Sequence, residues 1–191
     1  MAHKIDKYFW IANLVIVVSL IVFFSPSVFT DRILAPPDFK TYPFFVPRNT
    51  VAEKIILPLF DPIVQHIPWY HFDRRMLKTG KLPLWNPYQG CGVPHIANMQ
   101  SAFFYPPSIF VYVLNWKWGF FFLYFFKLYF IGLFLYLYLK EIGISSEVAI
   151  LSSIPGMYFS VIPFFIPLYT PQTNASFFFP LSLWATELIL K

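Results

Sequence analysis

The chain has a single cysteine, Cys91, in 191 residues. That excludes an intrachain disulfide and any cysteine-built zinc site, and it leaves the redox compartment open. Charge is scarce as well: Asp, Glu, Lys and Arg make up 12% of the residues, about half the share of an ordinary soluble domain. No phosphate-binding glycine loop, no serine or cysteine nucleophile elbow and no His-Glu-x-x-His pair occurs. His66, His71 and His95 have no ligand-like spacing, so no metal is called for. No nucleic-acid motif accompanies the formal charge of +5, and the basic excess reads as topology and lipid contact instead.

What is present is apolar and aromatic: 58% of the residues are hydrophobic and 23% are Phe, Trp or Tyr. One small core cannot bury that much apolar surface, so lipid must solvate part of it. The composition predicts an all-α integral membrane protein.

Residues 9–29 carry no charge and would rise about 31 Å as a helix, enough to cross a hydrocarbon core. The run is long for a cleaved signal peptide, and Pro26 interrupts the Ser25 to Ser27 stretch that vaguely resembles a cleavage site. Lys4 and Lys7 place the N-terminus in the cytoplasm. Residues 104–116 are too short to span and begin near two prolines, so they read as re-entrant or interfacial. Residues 118–139 cross back and end at Lys140. Residues 148–169 cross outward, with Pro155, Gly156, Pro163 and Pro167 expected to break or kink the helix against a cavity. Residues 177–190 return to Lys191, with Glu187 and Lys191 spaced to pair within one helix. The prediction is about four transmembrane helices in three parts: a cytoplasmic tail and first crossing (1–29), a large helical extracytoplasmic loop with surface and re-entrant helices (30–117), and three further crossings (118–191).

The loop carries the chemistry. Asp61-Pro62 is a helix-start signal and Gly80 the matching stop, with Arg74, Arg75 and Lys78 in the last turns, where the helix dipole favours cations. Capping alone accounts for these residues. A functional reading starts from the helical wheel, on which Asp61, Gln65, Trp69, Phe72 and Arg75 share one face. A cation, aromatics, an amide and a carboxylate suit an anionic, sugar-bearing lipid. In a straight helix Asp61 and Arg75 stand about 21 Å apart, so a kink at Pro68 would be needed to bring them together. Asp38, after Pro36 and Pro37, is a second acidic candidate; Asp31, Glu53 and Asp73 have no distinguishing context. The uncharged stretch around Trp85, Asn86, Asn98 and Gln100 reads as an ordered loop on the membrane surface, of the composition carbohydrate-facing surfaces use. Lys127, near the centre of the second crossing, would cost at least about 2.5 to 3.5 kcal/mol if ionised in lipid, so it calls for a phosphate, an acid or a route to the interface.

The run Asp38, Leu59-Phe60-Asp61-Pro62, Gln65, Pro68-Trp69, Arg75, Gly80, Leu82-Pro83-Leu84-Trp85-Asn86-Pro87-Tyr88, Gly92, Pro94, Ala97-Asn98, Gln100-Ser101 and Tyr105-Pro106 resembles bacterial YfhO-like polytopic membrane proteins. Trp118-Gly119, the Tyr136 to Gly143 stretch, Pro180-Leu181, Leu183, Glu187 and Lys191 fit the same family. The resemblance implies a GT-C type glycosyltransferase in the bacterial cytoplasmic membrane, taking a sugar from a polyprenyl-phosphate donor to an outer-face acceptor by inverting displacement. It assigns the catalytic role to Asp38 or Asp61, and it leaves Gln65, Arg75, Trp85, Asn86, Asn98, Gln100 and Lys127 to bind substrate. No cofactor is implied beyond that donor, and a divalent metal has no support. Family members are several times longer, so the chain is expected to be the front of a longer protein, or else a short membrane subunit held by a larger partner. A lipid-linked sugar transporter is the other alternative.

Overall fold

A computed structural model describes residues 7–30, 65–159, 176 and 178–191. These residues are mostly helical. In chain order they form α1 (Lys7–Phe23), α2 (Ser25–Phe29), α3 (Ile67–Lys78), β1 (Trp85–Asn86), β2 (Val93–Pro94), a 3-10 turn (Met99–Ser101), α4 (Ser108–Val113), α5 (Trp116–Glu141), α6 (Ser146–Phe159) and α7 (Phe178–Leu190).

Among the described residues one helix, α5, is long and apolar enough to cross a membrane. Its 26 residues rise about 39 Å. The expected first crossing differs. It ends as α1 at Phe23 and resumes as the five-residue α2. Pro26 has no N–H, and its ring would meet the carbonyl of Val22 in a continuous helix, so the break falls just before it. The 17-residue α1 and the 13-residue α7 are shorter apolar helices. The expected third crossing is described only as α6, which runs through Pro155 without ending there. The rest of that crossing lies outside the described residues. The four-crossing expectation therefore reduces to one helix of sufficient length.

α5 is the central post, packed against α1, α4, α6 and α7. Ile16, Leu20 and Phe24 meet Leu123, Leu128 and Ile131 of α5, Met157 of α6 and Val111 of α4 in one apolar cluster. Glycines set the closest approaches. A Cβ on Gly119 would lie 2.9 Å from the Val111 Cα and 3.0 Å from the Phe110 carbonyl oxygen, so α4 rests directly on the first turn of α5. Polar bonds cross the same core: the Ser19 and Tyr158 hydroxyls lie 2.9 Å apart, and the Tyr129 hydroxyl donates to Asn13 Oδ1.

The helix ends follow local chemistry. Asn115 Oδ1 accepts from the Trp118 N–H and caps α5. Gly80 (φ +70°) and Gly143 (φ +90°) take left-handed backbone after α3 and α5. After Gly80, Lys81 N–H bonds back to the Met76 carbonyl; after Gly143, Ile144 N–H reaches Leu139. The expected Glu187–Lys191 pair does not form. Lys191 lies past the end of α7, free of the helical spacing, and its Nζ pairs with Glu141 Oε1 at 2.8 Å, tying the chain to the end of α5.

Candidate functional site

Between α3 and α4 the chain folds back over α3. Trp85 pairs with Pro94 and Asn86 with Val93 in an antiparallel ribbon, extended by the His95 N–H donating to the Leu84 carbonyl. Gly92 (φ +99°) lies flat on the Trp85 indole, where a Cβ would come within 2.6 Å of Nε1. Asn86 Oδ1 accepts from the Tyr88 N–H and tightens the turn.

This ribbon and α3 enclose a cavity of about 530 Å³ lined by Pro68, Trp69, His71, Phe72, Arg75, Asn86, Tyr88 and Gln89. Pro68 is in the first turn of α3, where a missing N–H costs nothing, and Gln65 and His66 lead into that turn as a wide helical turn; the Asp61 side of the expected kink lies outside the described residues. Phe72 and Arg75 stand one and two turns further along the same side. Trp69 Nε1 donates to Gln89 Oε1 at 3.0 Å and joins helix to ribbon. The exposed Arg75 guanidinium lies over the Tyr88 ring, 4.7 Å from its centroid. His71 packs against Trp116, the first residue of α5, with ring centroids 4.2 Å apart and the planes tilted by 42°. The cavity therefore opens at one end of the long apolar helix. Partial burial, and then the Arg74 charge, lower the His71 pKa from its ordinary value.

Beneath the cavity floor lies a buried polar network. Asp73 and His95, both fully enclosed, meet at 2.7 Å between Oδ1 and Nε2. The Tyr112 hydroxyl donates to Asp73 Oδ2 at 3.4 Å and to the Phe103 carbonyl at 3.3 Å. His95 Nδ1 has no hydrogen-bond partner among the described residues, so the ring serves Asp73 alone. Desolvation raises the Asp73 carboxyl above its ordinary pKa, against the downward pull of His95 and Tyr112. Burial pushes the Tyr70 hydroxyl up to about 12 and raises Tyr105 and Tyr112 as well. With no solvent access, the Asp73–His95 pair braces α3 against the segment after β2; Phe72, which lines the cavity, packs edge-on against His95 at 5.0 Å.

Of the residues singled out from sequence, Trp69, Phe72, Arg75 and Asn86 come together in the cavity. Trp85 is exposed and packs on Gly92 beside it. Asn98 Oδ1 accepts from the Gln100 N–H, capping the 3-10 turn, and Gln100 itself is exposed. Gln65 is half-buried in the wide turn before α3. Lys127 lies far along α5, 2% exposed, with Nζ 5.6 Å from the centre of the Tyr124 ring. Asp38 and Asp61 lie outside the described residues. Sequence reading missed Tyr88, Gln89 and His71 as cavity residues and Asp73–His95 as a pair. Among the described residues no cluster of three His, Cys, Asp or Glu is placed to hold a metal. Comparison with family models, curated proteins and solved structures returned no match.

Proposed function

We propose that the chain carries the substrate-binding loop of a membrane glycosyltransferase, and that the cavity receives the sugar-phosphate headgroup of a polyprenyl-phosphate donor. One observation carries this reading: a cavity of headgroup size, lined by an arginine, amides and aromatic faces, opens beside Trp116 at the end of an apolar helix long enough to cross a bilayer. Arg75 would meet the phosphate, Tyr88 and Phe72 the sugar face, and Asn86 and Gln89 its hydroxyls. The polyprenyl chain would run alongside α5 in lipid.

The resemblance to YfhO-like proteins supports the rest of the proposal. By that resemblance, crossings at 9–29, 118–139, 148–169 and 177–190 would hold the loop on the outer face of a bacterial cytoplasmic membrane. A carboxylate, Asp61 or Asp38, takes the proton of the acceptor hydroxyl as its oxygen attacks the anomeric carbon. The bond from that carbon to the lipid phosphate breaks, and the phosphate leaves toward Arg75. General-base help of this kind contributes about 10²- to 10⁴-fold.

The test is transfer of radiolabelled sugar from polyprenyl-phosphate in membranes expressing the protein. Asp38→Asn and Asp61→Asn are each compared with wild type, and Arg75→Gln is expected to lower turnover about 10²-fold. Full activity in both aspartate variants refutes the catalytic assignment. Transfer unchanged in Arg75→Gln refutes the cavity as the donor site.

A further inference from the structure

Residues 65–118 contain five cations, Arg74, Arg75, Lys78, Lys81 and Lys117, and one acid, Asp73, which is sealed against His95. Among the described residues no carboxylate pairs with Arg74, Lys78 or Lys81. Two of these cations lie against indole rings. The Arg74 guanidinium lies 5.1 Å from the Trp116 ring centre and Lys117 Nζ lies 5.1 Å from that of Trp118. Trp116 and Trp118 open α5, and indoles at the end of a crossing helix sit at headgroup level. One helical turn, about 6 Å, separates Arg74 from Lys78, and the bond from Lys81 N–H to the Met76 carbonyl folds Lys81 back against the same end of α3. Directly after it, Leu82 and Leu84 are 55% and 63% exposed.

We propose that this surface, from Arg74 to Leu84, seats on the headgroups of anionic phospholipids. Lipid phosphates meet Arg74, Lys78 and Lys81, and Leu82 and Leu84 enter the acyl boundary. A zwitterionic headgroup satisfies the cations poorly because its own ammonium competes for the phosphate. The proposal rests on α5 crossing the membrane and not on sugar transfer; Lys78 and Lys81 do not line the cavity. The seat would hold α3 level with the bilayer surface, so that the cavity mouth faces lipid-borne ligands.

The full chain is placed in nanodiscs of phosphatidylcholine doped with spin-labelled phosphatidylglycerol or spin-labelled phosphatidylcholine, and the motionally restricted fraction is read by electron paramagnetic resonance. Co-elution with the discs reports membrane insertion separately from lipid preference. At low salt the restricted fraction is expected to favour phosphatidylglycerol by roughly fivefold or more, falling toward parity at about 0.5 M salt. Lys78→Gln with Lys81→Gln removes most of the preference, and Lys78→Glu with Lys81→Glu abolishes it. Equal association of the two lipids with the wild-type chain, or a preference that survives both double variants, overturns the proposal.

Discussion

The Asp73–His95 pair invites a double-mutant cycle. Both side chains are fully buried, and their 2.7 Å contact is the only polar contact of the His95 ring among the described residues. Asp73→Ala leaves that imidazole with no partner at either nitrogen, while Tyr112 keeps the Phe103 carbonyl. An unsatisfied buried group costs about 1 to 3 kcal/mol, and the space vacated by the carboxylate adds to it. His95→Ala leaves a buried carboxylate held by one long bond from Tyr112, and breaking a buried pair in this way costs about 3 to 5 kcal/mol. Removing both leaves no orphan, so the double variant should lose about 1.5 to 3 kcal/mol less than the sum of the single losses. Denaturation in detergent micelles, followed through intrinsic tryptophan fluorescence, measures all four corners of the cycle. A coupling below about 0.5 kcal/mol would mean that the two residues act independently and that the brace under the cavity does not exist.

The same pair sets a pH dependence. Burial raises the Asp73 pKa, so the folded chain keeps this proton to higher pH than the unfolded chain does. Its contribution to stability is full below the ordinary carboxylate value and declines as pH rises through the raised one. Asp73→Asn removes that decline, so its stability relative to wild type should improve as pH rises through this window; a flat difference contradicts the raised pKa. Cys91, the sole cysteine and exposed, reports sidedness: a membrane-impermeant maleimide should label it in intact spheroplasts, and labelling only after lysis would invert the proposed topology. Gly119→Val forces α4 off α5 and is expected to cost about 1 to 3 kcal/mol, read as a lower denaturation midpoint; an unchanged midpoint refutes the close packing.

Those parts of the fold that depend on neighbouring residues were legible in the chain. The crossing expected at 118–139 corresponds to α5, because a long apolar run, broken only by Lys127, needs little beyond its own length to be a helix. The stop at Gly80 was legible for the same kind of reason, since a left-handed cap is a local event. Pro26 and Pro155 were harder to weigh. Each removes one backbone bond, yet the helix breaks at the first and continues through the second. The difference does not lie in proline itself. α6 packs along α5, where Gly156 meets Leu135, and this contact helps hold the helix past Pro155.

The candidate site shows the limit more sharply. A loop rich in amides and rings was read as a surface for a sugar, and Asn86, Asn98 and Gln100 were counted as available for it. Folding an irregular ribbon consumes some of them first: Asn86 and Asn98 each spend the side-chain oxygen on a backbone N–H two residues on, and Gln89 accepts from Trp69. What remains for a ligand is the nitrogen end of Asn86 and Gln89, which donates, beside the Arg75 cation. A cavity furnished mainly with donors favours an acceptor-rich, anionic group over a neutral sugar alone, so the phosphate is the part of the ligand this pocket should hold most firmly. Asp73 escaped notice for the complementary reason. In the sequence it stands beside two arginines and reads as a solvated charge, and only the fold brings in His95, 22 residues away, to bury it.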